Sequence, residues 1–287
     1  MPWQLSVVIH LVLSTGFALL YRNFAKNNKG RALLTMAVMY LLTITPIGFI
    51  WASAQGGVSF AFAPSMWGFL VLGGVLFAVG NVLAFVANTH VDAAQFSIIT
   101  NTRTVTTIAV SSVLLHELLT PLQGVGVALI IVAALWFALG RRTEKTKKLS
   151  WYSLIAVLSA VLMGIGISNE KYLLDNMSFS TYLVVGWGFQ TLAMVIIAGR
   201  QWKHIRAFLQ ENRLVQVIAL GLLRTFAGLA LVWTLARSGN SSLVASIISY
   251  KTALVVVLAY FVLRERQDAM RKLLGAGVAT AGILLLL

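Results

Sequence analysis

Three cations lie deep inside apolar runs of this chain: Arg103 in SIITNTRTVTTIAV, Arg224 in LGLLRTFAGLALVW and Lys251 in SIISYKTALVVVLAY. A charge at the centre of a membrane-spanning helix costs on the order of 2.5–3.5 kcal/mol on insertion scales, so such residues face a protein interior or a wet cavity. The chain has only eight acidic residues, and none sits at the midpoint of an apolar run; the deepest is Glu170, between Asn169 and Lys171. One carboxylate cannot balance three cations. An anionic ligand is the economical completion, because a guanidinium fork matches carboxylate or phosphate and a lysine adds a point charge. The competing reading is a structural brace: in TNTRT, hydroxyls and an amide surround Arg103 and can satisfy it without any ligand.

Other side chains extend the candidate site. Asn81, Asn88, Asn101, Asn169 and Gln190 can supply hydrogen bonds, and Tyr250, Trp187, Phe226 and Trp233 can form flat walls, although aromatic residues in spans also serve as packing or interface anchors. A proton-coupled carrier needs an acid or histidine in the path, which points to Glu170 and His10, with Lys171 beside the former. Glu117 and Glu265 sit at segment ends beside His116, Arg264 and Arg266, where they can hold loops together as gate salt bridges. The chain has no cysteine, four scattered histidines and no paired central acids. Thiolate metal sites and thiol catalysis are therefore excluded, no metal or cofactor is expected, and the chemistry of an enzyme is not in evidence.

The elements that must position these residues are membrane helices. Of the 287 residues, 59% are hydrophobic and 10% charged, with a mean hydropathy of +0.88. That is too little charge for a water-facing surface, since soluble domains carry roughly 25%. Spans of ~20 apolar residues are expected at 3–22, 31–54, 65–90, 93–116, 120–140, 151–173, 178–199, 213–236, 240–263 and 271–287. The first lacks a basic flank and a small-residue cleavage site, and reads as a helix rather than a cleaved signal. Pro46 should kink the second. Glycine-rich runs at 73–80 and 275–282 suit close helix contact. The net charge of +14 lies mostly in loops, which makes it an orientation signal and not a nucleic-acid footprint. The loops after the first, fifth, seventh and ninth spans hold 17 Lys and Arg, while the opposite side holds only Lys171 and Arg237. The positive-inside rule then places both termini outside the cytoplasm. The setting expected is a bacterial or archaeal cytoplasmic membrane, with the protein a monomer or homodimer whose partners are lipid and a small-molecule substrate.

The chain also repeats itself. A shift of 148 residues lays Asp92 on Asn240, Arg103 on Lys251, Thr104 on Thr252 and Glu117 on Glu265, whereas the Ser-Ile-Ile triplets coincide at 149. Two five-helix halves, 1–142 and 150–287, joined by the basic linker 141–150, would enter the membrane from opposite sides because five is odd. Such inverted repeats are characteristic of secondary transporters. HELLTPLQGVGVALIIVAAL and RERQDAMRKLLGAGVATAGILLLL resemble the Glu-then-Gly pattern that closes each repeat of the EamA family, within the drug/metabolite transporter superfamily. The resemblance covers the whole chain and implies ten helices and alternating access around a central cavity. Members are usually described with cytoplasmic termini, opposite to the loop charges here. Within the superfamily, the sugar-phosphate and nucleotide-sugar transporters are similar in using basic residues on late helices, which agrees with an anionic organic metabolite: a phosphorylated compound, a carboxylate or an acidic conjugate. Alternative readings are a carrier of amino acids or of a cationic or zwitterionic metabolite such as a quaternary amine, using Glu170 and the aromatics, and a lipid-carrier flippase.

Overall fold

A computed structural model describes residues 2–28, 30–116, 120–138, 147–210, 214–264 and 268–286. Glu117, Glu265 and linker residues 141–146 lie outside the described residues. All regular structure among the described residues is helical. Among the described residues, seven stretches are long and apolar enough to cross a membrane: Trp3–Asn27, Ala32–Ala54, Met66–Asn88, Trp151–Asn176, Phe179–His204, Leu214–Ser238 and Ser241–Val262. The three other expected spans are helical but fall short by length or apolarity. The first is α5 (Ala93–Thr100) followed by α6 (Thr102–Leu114), which is rich in hydroxyls; α7 (Pro121–Ala138) has 18 residues and α15 (Ala269–Leu284) has 16.

Most spans are not uniform α-helix. Helix α1 (Trp3–Asn27) runs straight through Arg22, which the loop-charge reading places outside a span. The second span is α2 (Ala32–Met39), a π turn at Tyr40–Ile44, and α3 (Thr45–Ala54). Pro46 is the second residue of α3 and has no N–H to donate four residues back, and just ahead of it the helix widens, Thr45 N bonding five residues back to Tyr40 O. After α4 (Met66–Asn88), α5 and α6, α7, and α8 (Lys147–Asn176) comes a second widened span. It consists of the short α9 (Phe179–Thr181), a π turn at Tyr182–Gly186, and α10 (Trp187–Ala198), which runs into a 3-10 turn at Gly199–His204. No proline explains this second π turn. There the Tyr182 ring folds over Gly186, where an added Cβ would lie 2.5 Å from it. Helix α11 (Ile205–Gln210), α12 (Leu214–Ser238), α13 (Ser241–Ser249), α14 (Lys251–Val262) and α15 complete the chain.

The packing has an internal symmetry. Helix α4 lies along α8, and α1 lies along α12; the sequence repeat exchanges these two pairs. Its centre is the crossing of α5–α6 with α13–α14. Each arm of this crossing is interrupted once, at Asn101 and at Tyr250, where the backbone N–H bonds three residues back instead of four. Across the crossing, Thr252 Oγ1 donates to Asn101 Oδ1 (2.8 Å) and to Ser97 O (3.3 Å). Thr104 mirrors it, bonding Ser249 Oγ and Ala245 O. These pairs follow the shift of 148, which makes Arg103 and Lys251 structural equivalents, whereas the interruptions follow 149. His116 and Arg264, one residue before the two repeat-closing glutamates, both take left-handed backbone, at φ 57° and 56°.

Helices α7 and α15 meet glycine to glycine. A Cβ on Gly126 would lie 2.5 Å from Gly282 O, and one on Gly282 2.7 Å from Gly126 O. Backbone cannot yield as a flexible side chain can, so overpacking this contact should cost about 1–3 kcal/mol. Gly282→Ala is expected to lower the thermal unfolding midpoint measurably, while Gly277→Ala, with open space around it, should not. Equal midpoints for the two variants would contradict the close approach.

Candidate functional site

Among the described residues the helices surround a cavity of about 200 Å³. Of the residues the sequence singles out, Arg103, Lys251, Arg224, Asn81, Asn88, Trp187, Gln190, Glu170 and His10 line it. The interruptions at Asn101 and Tyr250 set Arg103 and Lys251 at the starts of α6 and α14. Discontinuous helices of this kind recur where transporters hold substrate and ions, because freed backbone and polar side chains can then face a wet cavity.

The three cations are not alike. Arg224 reaches from α12 to the second span's π turn and to α4. Its guanidinium donates to Asn81 Oδ1 (2.8 Å) and to the Tyr40 hydroxyl (3.3 Å), and stands 5.7 Å from the ring centres of both Phe17 and Tyr40. Asn81 is itself held, its amide donating to Tyr40 Oη (2.7 Å) and Phe77 O (2.6 Å). This is a brace. Arg103 and Lys251, by contrast, have no hydrogen bond or ion pair to any protein group among the described residues, and Arg103 is within Coulombic reach of both other cations. Two equivalent charges therefore face the cavity without a hydrogen-bond or ion-pair partner among the described residues.

Glu170 provides the contrasting pole. It is 4% exposed. The hydroxyl of Tyr182, from the second π turn, donates to its Oε1 at 2.6 Å, and Gln190 Nε2 donates to that same hydroxyl at 3.3 Å. His10 hydrogen-bonds through Nδ1 to Ala227 O at 2.8 Å. A carbonyl only accepts, so Nδ1 carries the hydrogen. Nε2 then has no partner among the described residues and belongs to a side chain on the cavity wall.

Several expected site residues are engaged elsewhere, and helix rotation is the reason. Asn101 accepts from Thr252, and Asn169 donates to Phe69 O at 2.9 Å, bracing α8 against α4. Tyr250 packs against the apolar cluster of Ile108, Ile130, Ile283 and Leu286. Trp233 stacks edge-on with Phe179 and lies 4.2 Å below the Arg237 guanidinium. Lys171 is paired with Asp175 one turn along. None of the five lines the cavity. Two further residues escape the sequence reading: Tyr40, which lines the cavity, and Tyr182, which does not line it but holds the lining Glu170 through its hydroxyl. Their shared context, YLLTI and YLVVG, is the signal that marks them, since a buried tyrosine hydroxyl needs a polar partner.

At one end of the bundle, Asp92 joins two nearly buried cations. Its carboxylate meets Lys272 at 2.9 Å and Arg22 at 3.7 Å, tying the foot of α15 and the end of α1 to the start of α5. Both cations count as loop charges in the sequence reading; here they are internal pairs. The position equivalent to Asp92 holds Asn240, which instead caps α13 by accepting from Leu243 N at 2.7 Å. No group of three or more His, Asp or Glu that could hold a metal comes together among the described residues.

The EamA-like transporter family matches this chain twice, over residues 3–139 and again over 150–287. Solved structures resemble it in fold: one crystal structure superposes with a TM-score of 0.62 at 17% identity, covering 99% of this chain and 95% of that one. No curated protein sequence matches.

Proposed function

Because the chain belongs to the EamA-like transporter family, a family of integral membrane transporters, we propose that it is a secondary active carrier moving a small anionic organic metabolite by alternating access, with the anion held between Arg103 and Lys251. On this reading ten helices form two oppositely inserted halves joined by the basic linker, the termini lie outside the cytoplasm, and no catalysis is involved. The observation that carries the reading is the pair of equivalent cations lining one cavity without a partner among the described residues. A cation with a built-in partner, such as Arg224, can be explained without a ligand, but two exposed to the same wet space repel each other until something negative lies between them. Trp187 and Phe17 supply apolar wall, and His10 Nε2 meets a polar group of the substrate. The π turns at Tyr40 and Tyr182 are the points where the spans flanking the cavity can yield during the switch, since such turns relax the helical ladder.

A second reading comes from Glu170. Its carboxyl borders the cavity and, among the described residues, has one hydrogen-bond donor and no paired cation, so a zwitterion could lay its carboxylate at Arg103 and Lys251 and its ammonium at Glu170. A thermal-shift screen separates the two, using phosphorylated compounds, carboxylates, amino acids and amines on the purified protein and on Lys251→Ala. Anions without an amine should stabilise the wild type, with the effect lost in the variant. Stabilisation by zwitterions alone selects the second reading, and stabilisation by amines alone overturns both.

A further inference from the structure

Beyond its two cations, the central cavity is walled mostly by apolar side chains. Phe17, Phe77, Phe96, Met163, Trp187 and Leu231 reach it from α1, α4, α5, α8, α10 and α12 in turn. The neutral polar groups set among them are already engaged. A hydroxyl has one hydrogen to give. Ser14 gives its hydrogen to Leu11 O (3.3 Å), Thr100 to Ser97 O (3.0 Å), Thr225 to Gly221 O (2.7 Å) and Ser97 to Thr252 Oγ1 (3.2 Å). The Asn88 amide donates to Ala84 O at 2.9 Å, and those of Asn81 and Gln190 donate to the Tyr40 and Tyr182 hydroxyls. These side chains hold helices together, and their hydroxyls have no hydrogen left for a ligand. His10 Nε2, an acceptor within Coulombic reach of Lys251 and Arg103, admits one donor beside the anionic group.

This lining selects the body of the ligand as the cations select its head. A polyhydroxylated compound would exchange water for rings and aliphatic chains and leave most of its hydroxyls without partners, a loss that buried polar groups do not recover. An apolar body gains there, because binding removes its surface and that of the walls from water, while the two cations fix its orientation. The volume sets the size. At about 200 Å³ the space exceeds the ~150 Å³ that holds a benzene ring and falls below the roughly 300–1,000 Å³ of sites for drug-sized ligands. One ring or one branched chain fits beyond the anionic group. We infer that the ligand is a small organic acid whose body is aromatic or branched aliphatic, and not a sugar phosphate or other polyol anion. This names the substrate class of the proposed carrier and rests on that reading, since it takes the anionic group to lie between Arg103 and Lys251.

The test is isothermal titration of the whole purified protein at fixed pH and ionic strength, with two pairs of ligands that share a head group and differ in body. These are 3-phenylpropionate against glycerate, and phenyl phosphate against glycerol 3-phosphate. Lys251→Ala shows whether the head group sits at the cations and corrects for uptake of the aromatic ligands by detergent; Arg103→Ala repeats the control. In each pair the apolar member should bind the wild type more tightly by roughly 10-fold or more. Along acetate, propionate, butyrate and pentanoate, affinity should rise about 4-fold per methylene, with a heat capacity of binding that grows more negative. All of this binding should weaken by roughly 10-fold or more in the variants. Binding that depends on Lys251, but in which glycerate and glycerol 3-phosphate match or exceed their apolar counterparts, overturns the inference and leaves the transport reading standing. Aromatic binding retained in both variants, or no binding by any of the four, overturns both.

Discussion

Lys251→Ala and Arg103→Ala should each weaken binding and transport of the anion by roughly 10- to 100-fold, and neither should lower the thermal unfolding midpoint. The two halves of this expectation have one cause. Each side chain contributes a charge-assisted hydrogen bond to the ligand, of about 1.5–3 kcal/mol, and every ~1.4 kcal/mol is a factor of ten in affinity. In the ligand-free protein the same charge has no partner among the described residues, so it stands in a partly desolvated site at a net cost, and its removal relieves that cost. A structural brace behaves in the opposite way: truncating it orphans its partners and destabilises the fold. Uptake into proteoliposomes and unfolding of the same preparations, measured side by side, decide between them. A lowered midpoint with transport intact in either variant would return that residue to the scaffold. Because the crossing pairs make the two cations equivalent, the single losses should be similar in size. The double variant should lose less than their sum, since one ligand group serves both.

Legibility in the sequence depends on which interactions are local. The cations are conspicuous because a fixed charge is costly in any span, whatever surrounds it. Arg103 and Lys251 are legible as an equivalent pair through the shift of 148, but sequence alone leaves the choice between 148 and 149 open. The reason is physical: α13 has nine residues before its interruption and α5 has eight, so the turns slip by one residue while the threonine contacts do not. The difference between Arg224 and the other two is invisible in sequence, because its partners Tyr40 and Asn81 are 184 and 143 residues away. The asparagines show the same limit. Asn81 and Asn169 are alike in type and depth, but rotation turns one towards the cavity and the other into the α4–α8 contact. Each π turn rotates the helix C-terminal to it, so a regular helical period misplaces faces beyond Tyr40 and Tyr182. The span count differs for a related reason: hydroxyl-rich α5–α6 is sheltered by neighbouring helices and need not be apolar enough to face lipid.

Arg224→Ala should have the reverse signature of Lys251→Ala, destabilising the fold by about 2–4 kcal/mol. The variant removes a charged donor from Asn81 Oδ1 and from the Tyr40 hydroxyl. Hydrogen bonds to charged groups contribute about 1.5–3 kcal/mol, and an orphaned buried acceptor adds its own desolvation penalty. The guanidinium also stands against the Phe17 and Tyr40 rings, a contact of about 0.5–2 kcal/mol depending on how dry it is. Part of this is offset because the Arg224 Nε has no partner among the described residues, so its removal costs nothing at that atom. Lysine should not rescue the loss, since a single ammonium cannot span an amide oxygen and a hydroxyl in the geometry of the fork. The pairing can be isolated by a double-mutant cycle with Asn81→Ala, in which a coupling of about 1–2 kcal/mol is expected; Tyr40→Phe should weaken the midpoint in the same direction. Zero coupling, or an Arg224→Ala protein as stable as wild type that has lost anion binding, would move Arg224 from the scaffold into the binding site. Since Arg224 spans from α12 to α4 and to the π turn, loss of the brace should also loosen the contact across which alternating access must occur, raising leak of the anion across proteoliposomes even where binding survives.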